Sequence, residues 1–134
     1  MAIDLTPLEN ATARLREGLA RHRKEPGDEQ LRDGLIQRFE FTYELSHRTL
    51  RRYLAETAAS PDDVAGLSFA DLIRTASSQG LIRGGWPAWR QFREIRTRTT
   101  HTYDQDTAAK VVEAIPEFLG EAEYLLAELK RRAG

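Results

Sequence analysis

Apolar residues recur every three or four positions along most of this chain, a period that helices satisfy and strands do not. Leu31, Leu35, Phe39, Thr42, Leu45, Thr49 and Tyr53 make one long stripe, widened by Leu50 and Leu54. Ala108, Val112, Ile115, Leu119, Ala122, Leu126 and Leu129 make a second, in which Pro116 is expected to introduce a kink. Leu8, Ala11, Leu15 and Leu19 form a shorter stripe, and Trp89, Phe92, Ile95 and Thr99 form another. No segment alternates as a strand does, and there is no Asn-Gly hairpin signal, repeat or low-complexity tract.

Local chemistry marks the helix ends. Thr6, Pro7 and Glu9 fall in the order of an N-cap, a first-turn proline and a capping-box acid, so a first helix should begin at Pro7. Lys24 to Asp28 reads as a polar turn, and Asp28 should cap a second helix reaching about Ala59. Gly34 within it costs about 1 kcal/mol relative to alanine, which points to a closely packed neighbour. Ser60-Pro61-Asp62-Asp63 breaks the chain. Ser68 with Asp71 predicts a short helix from Phe69 to about Gln79, with Leu67 stapled onto Leu72 and Gly80 as its stop. Gly84-Gly85 is a loop, Pro87 opens a fourth helix, and His101 to Asp106 separates it from a fifth. A chain of 134 residues fits one core. The expectation is a single all-α domain over residues 1–134: an up-and-down four-helix bundle with an extra short helix, five helices in all.

Composition narrows the function classes. With no cysteine, disulfides, thiolate nucleophiles and cysteine zinc sites are excluded, and no metal-ligand spacing involves His22 or His47. The start of the chain lacks the pattern of a signal peptide, and no apolar run reaches the roughly 20 residues of a membrane span, so a cytoplasmic protein without membrane contact is expected. The net charge is −1, so no global field gathers nucleic acid. Locally the balance differs: Arg83, Arg90, Arg93, Arg96 and Arg98 are accompanied in their own stretch only by Glu94. Large apolar residues on the second and fifth helices exceed what one small bundle is expected to bury, which predicts a dimer.

One stretch carries the residues of a reaction. Arg96-Thr97-Arg98-Thr99-Thr100-His101-Thr102-Tyr103-Asp104 gathers an arginine, a histidine and a tyrosine where a helix gives way to a loop. Arg96 and Thr100 are one helical turn apart, so His101 falls just past the turn above Arg96. A guanidinium binds a phosphodiester through two parallel N–H groups and stabilises charge building on it. An imidazole titrates near neutrality and can move a proton to or from a ribose hydroxyl. Spacing alone leaves a second reading open, and the commoner one: Arg and His at a helix C-terminus also cap carbonyls. Arg51-Arg52 reads as a solvated face, and Gly84-Gly85 lacks the flanking pattern of a phosphate loop.

Leu35-Ile36-Gln37-Arg38-Phe39-Glu40-Phe41-Thr42-Tyr43-Glu44-Leu45, followed by Thr49-Leu50-Arg51-Arg52-Tyr53-Leu54, resembles the second helix of the nucleotidyltransferase substrate-binding proteins, a branch of the HEPN superfamily. Asp71-Leu72-Ile73-Arg74, Gly80-Leu81-Ile82, Trp86, His101-Thr102-Tyr103-Asp104 and Ile115-Pro116 continue the resemblance, which runs from about Asp28 to the C-terminus. It implies a helical bundle, usually a homodimer, encoded beside a minimal nucleotidyltransferase that it binds. Many HEPN proteins, including the HepT-like toxins of toxin–antitoxin modules, cut RNA without metal or cofactor using an Arg, four to six residues, and a His. Arg96 and His101 have that spacing, and the resemblance turns the balance for them from capping to chemistry.

In related toxins a tyrosine two residues past the His is adenylylated by the nucleotidyltransferase antitoxin, and Tyr103 holds that place. Thr97 stands where an Asn often follows the motif arginine; it keeps a hydroxyl and lacks the amide. His47 stands where a Trp is frequent. The resemblance therefore implies catalytic Arg96 and His101, modification at Tyr103, and a cleft lined by Arg93, Arg98, Thr97, Asp104, Glu40 and Tyr43. The implied function is a metal-independent RNase toxin neutralised by its partner. The alternative is a non-enzymatic subunit that presents a substrate or nucleotide to the nucleotidyltransferase.

Overall fold

The computed structural model describes residues 3–133. Its elements are α1 (Thr6–Lys24), α2 (Glu29–Thr57), α3 (Asp62–Ala65), α4 (Phe69–Ser78), α5 (Trp86–Arg98), a 3-10 turn (Thr99–His101) and α6 (Gln105–Ala133). No strand occurs among the described residues. The four long helices α1, α2, α5 and α6 make the bundle: α1 lies along α2, α6 packs on both, and α5 packs on α6. The short α4 sits against α5 and α2.

Caps set most of the boundaries. The Asp28 carboxylate accepts from the backbone N–H groups of Gln30 and Leu31 at 2.9 and 3.0 Å, and the Ser68 hydroxyl accepts from Asp71 N–H at 3.1 Å. Gly80, with φ at +73°, stops α4 as its sequence position predicts. At the first helix the expectation fails. The helix starts at Thr6, whose side chain does not cap it; Asp4 supplies the oxygen, accepting from Thr6 N–H at 3.0 Å. The break after α2 holds a one-turn helix, α3, that has too few residues to show a period. Pro116 lies on the exposed side of α6 and the helix continues through it.

The core is aromatic at its centre. Phe118 of α6 meets Phe39, Trp89 and Phe92 edge-on at centroid distances of 5.0, 5.9 and 5.2 Å. Leu8, Leu15, Leu35, Leu50, Leu54 and Leu72 are fully buried around it, each side chain contributing roughly 1.5–3 kcal/mol. The apolar residues of α6 are absorbed within the one chain: Ala108, Ile115, Phe118, Ala122, Leu125 and Leu129 are buried, with Val112 and Leu126 partly so. The expected surplus is confined to α2, where Phe41 stays 56% exposed beside half-buried Leu45. Gly34 has open space where a Cβ would stand, so no neighbour packs on it; the tight approach between α1 and α2 is at Gly18, against the Arg38 side chain.

Candidate functional site

The end of α5 and the start of the 3-10 turn place Ile95 and Thr99 inward, and this rotation sets the direction of Arg96. Its side chain, 28% exposed, turns toward α2. Nε donates to a Glu44 carboxylate oxygen at 3.2 Å, Nη1 stands 3.5 Å from a Glu40 carboxylate oxygen, and Nη1 also donates to the Thr99 hydroxyl at 3.0 Å. The Thr99 hydroxyl in turn donates to the Arg96 carbonyl at 2.6 Å. Glu40 and Glu44 are one turn apart on α2, so they bracket the guanidinium from one helix face. No hydrogen bond from Nη2 occurs among the described residues.

The 3-10 turn then carries His101 and Tyr103 out of the bundle. Both are exposed, Tyr103 to 83%. The Tyr103 hydroxyl lies 3.5 Å from His101 Nδ1, with the rings nearly perpendicular. Asp104, just before α6, accepts from the Thr107 hydroxyl at 2.8 Å, a contact that holds its carboxyl below the usual carboxylate range. The Thr97 hydroxyl is turned back onto the Arg93 carbonyl of its own helix at 3.1 Å.

Other expected cleft residues separate. Arg93 reaches over the Phe69 ring of α4 at 5.7 Å. Arg98 points the other way, into a groove between α5 and α6 lined by Gln91, Ile95, Lys110 and Glu113. Glu40 does line a groove on α2, with Phe41, Glu44, Leu45, Arg48 and Arg96. Tyr43 does not: it is buried among Phe39, Phe69 and Phe118, and burial pushes its phenol up to about 12. Arg51 is also not a free surface charge, since it donates to the carbonyls of Val64 and Leu67.

Two groups were not marked by the sequence pattern. Glu44 is the nearer carboxylate on Arg96, and a second carboxylate, Glu121, is buried at the other end of α5. Glu121 accepts from Gly84 N–H at 2.8 Å and Trp89 Nε1 at 3.3 Å, and pairs with Arg83 at 3.2 Å. Both carried a signal: Glu40 and Glu44 have helical spacing beside the apolar stripe of α2, and Glu121 interrupts the seam of α6 next to Ala122. No cluster of three or more His, Cys, Asp or Glu suited to a metal ion occurs among the described residues. No helix among them is long and apolar enough to cross a membrane. At this end of the bundle the chemistry on offer is a half-held guanidinium, an exposed imidazole and an exposed phenol.

Comparison with known proteins places this geometry in context. A family model described as nucleotidyltransferase substrate binding protein like matches residues 3–131. A Haemophilus influenzae protein named "Probable ribonuclease HepT" is 42% identical over 99 residues, covering 74% of this chain and 67% of the relative. A solved Haemophilus influenzae structure, described as the fold of a substrate binding domain of a nucleotidyltransferase, superposes with a TM-score of 0.88 at 34% identity, covering 95% of this chain and 99% of its own. A crystal structure from Thermus thermophilus gives a TM-score of 0.74 at 30% identity, covering 91% and 98%.

Proposed function

This chain belongs to the nucleotidyltransferase substrate-binding protein family, and from that membership and the site geometry we propose that it is the metal-independent RNase toxin of a two-protein module, silenced when a minimal nucleotidyltransferase adenylylates Tyr103. What supports this reading is the placement at one end of α5 of a partly exposed Arg96, an exposed His101 and the Tyr103 hydroxyl beside the His101 ring. In this reading His101 takes the proton of a ribose 2′-hydroxyl as that oxygen attacks the adjacent phosphorus. The bond from phosphorus to the 5′-oxygen breaks, leaving a 2′,3′-cyclic phosphate, and the protonated His101 ring passes its proton to the departing 5′-oxygen, which leaves as a hydroxyl. Arg96 stabilises the charge on the phosphorane oxygens. AMP on Tyr103 adds negative charge and bulk where the RNA phosphate must lie.

The α2 groove that holds Arg96 also carries exposed Phe41, and this face fits a second copy of the chain, so the working unit is a homodimer. The groove favours one further reading, a non-enzymatic subunit in which Arg96 and its two carboxylates hold a substrate for the nucleotidyltransferase. The experiment separates them. Purified protein is incubated with RNA in chelator, and the intact chain is weighed after co-expression with the neighbouring nucleotidyltransferase. Cleavage with cyclic phosphate ends, and an AMP adduct that vanishes in Tyr103→Phe, are expected. An inert protein that still binds its partner supports the subunit reading. A monomer by light scattering at micromolar concentration removes the dimeric cleft.

A further inference from the structure

Two arginines flank two neighbouring aromatic rings on the face formed by α4 and α5. Arg74 Cζ stands 5.8 Å from the centre of the Trp86 ring, Trp86 meets Phe69 at 5.8 Å, and Arg93 Cζ stands 5.7 Å from Phe69. The guanidiniums are exposed and the two rings half-buried, so each ring offers an edge or part of a face to solvent. Arg93 has no carboxylate within ion-pair distance among the described residues, although acidic side chains pair with Arg83, Arg90 and Arg96 on the same helix and its approach. The strip therefore ends on an uncompensated cation. That cation is one helical turn before Arg96 and on the same side of α5.

His47 of α2 lies edge-on to Phe69 at 4.7 Å, and its Nε2 is buried without a hydrogen-bond partner. Burial, followed by the charge of Arg51, pushes the His47 ring toward its neutral form, so it adds no positive charge to the strip.

We propose that Arg74, Trp86, Phe69 and Arg93 form a platform for the bases of single-stranded RNA, leading one strand to Arg96. Both kinds of side chain suit the task, because every base has a π-face that stacks on an aromatic ring or a guanidinium plane, whatever its sequence. Duplex RNA keeps its bases stacked on one another and cannot use such a strip. The proposal rests on the ribonuclease reading for the destination of the strand and adds the surface that guides the strand there.

The test uses the full chain and a 2′-O-methyl oligouridine, which lacks the attacking hydroxyl and so cannot be cut. Trp86 and Trp89 are the two tryptophans, and Trp89 is buried with its N–H on Glu121, so it serves as an internal reference. Oligouridine should quench the Trp86 emission saturably, and a duplex of equal length should not. In Trp86→Leu the remaining emission should not respond, and affinity should fall about tenfold in Trp86→Leu and in Arg93→Ala. Because Arg93 is exposed, its variant remains informative if Trp86→Leu folds poorly.

Absence of binding by the wild type, or unchanged affinity in folded Trp86→Leu and Arg93→Ala, overturns the platform. So does a change of oligomeric state in those variants with RNA affinity intact, which would make the strip a protein contact. A wild type that cuts RNA while the strip variants cut and bind equally well sinks the platform alone. A wild type that binds through the strip and never cuts sinks the ribonuclease reading alone.

Discussion

The two ends of α5 are built from the same materials and reach opposite results. At its start, Glu121 is buried and gathers three donors: the Gly84 N–H, the Trp89 indole and the Arg83 guanidinium. At its end, Arg96 is shared between Glu40 and Glu44, both open to solvent. In the first cluster a carboxylate has no alternative partner, since water is excluded. In the second each group can exchange its partner for water or for a phosphate at little cost. The lesson is that burial, more than the identity of the paired charges, separates a structural lock from a site able to accept a ligand.

Substitutions that reverse the roles of the two ends would break this comparison. The largest effect expected is on activity at the open end: Arg96→Ala or His101→Ala should lower RNA cleavage by about 10²–10³-fold or more, while urea unfolding moves by less than about 1 kcal/mol. Cleavage at the wild-type rate would remove the catalytic assignment, and a large loss of stability would assign these residues to capping. At the closed end the pattern should invert. Glu121→Ala strands two N–H donors in the core and should cost about 2–4 kcal/mol in urea or thermal unfolding; Glu121→Gln, which keeps an acceptor, should recover part of that loss. A loss as small as that of Arg96→Ala would erase the distinction.

Gly84→Ala sharpens it further. An added Cβ would stand 2.9 Å from the Ala88 Cβ and 3.1 Å from a Glu121 oxygen, so a cost of about 1–3 kcal/mol is expected in the same assay. The smallest effect is a pH dependence. His47 holds its pKa below the free value because burial penalises the charged ring. The unfolded chain therefore binds more protons as pH falls through about 6.5, and stability declines from there downward until the folded-state pKa is passed. Replacing His47 by Phe should flatten that part of the stability–pH curve; an unchanged slope would assign the decline to other groups.

Features set by near neighbours in sequence were legible before the fold was known. Asp28, Ser68 and Gly80 act within four residues of their own positions, and the inward set Trp89, Phe92, Ile95 and Thr99 follows from the helical period alone. The nearness of Arg96, His101 and Tyr103 was legible for the same reason. Pairings across the bundle were not. Arg96 finds Glu40 and Glu44 only because the fold brings the end of α5 beside α2, and Tyr43, which shares their segment, falls on the inward side and enters the core. The basic stretch from Arg83 to Arg98 looks uncompensated in sequence because Glu121 and the two α2 carboxylates arrive from elsewhere. Gly34 misled for the opposite reason: a costly residue in a helix is open to solvent, and no contact explains it.

The Glu121 lock also imposes an order on synthesis. Its three partners lie between Arg83 and Trp89, more than thirty residues earlier in the chain. While α6 is still inside the ribosome, the Gly84 N–H and the Trp89 indole have left it with no acceptor to meet. The α1–α2 hairpin can pair as soon as it emerges, but the entrance to α5 is fixed only when the last helix docks. A nascent chain thus carries the Arg96–Tyr103 segment in a loosely held form until α6 has emerged, and the assembled arrangement appears when that helix docks and the bundle closes.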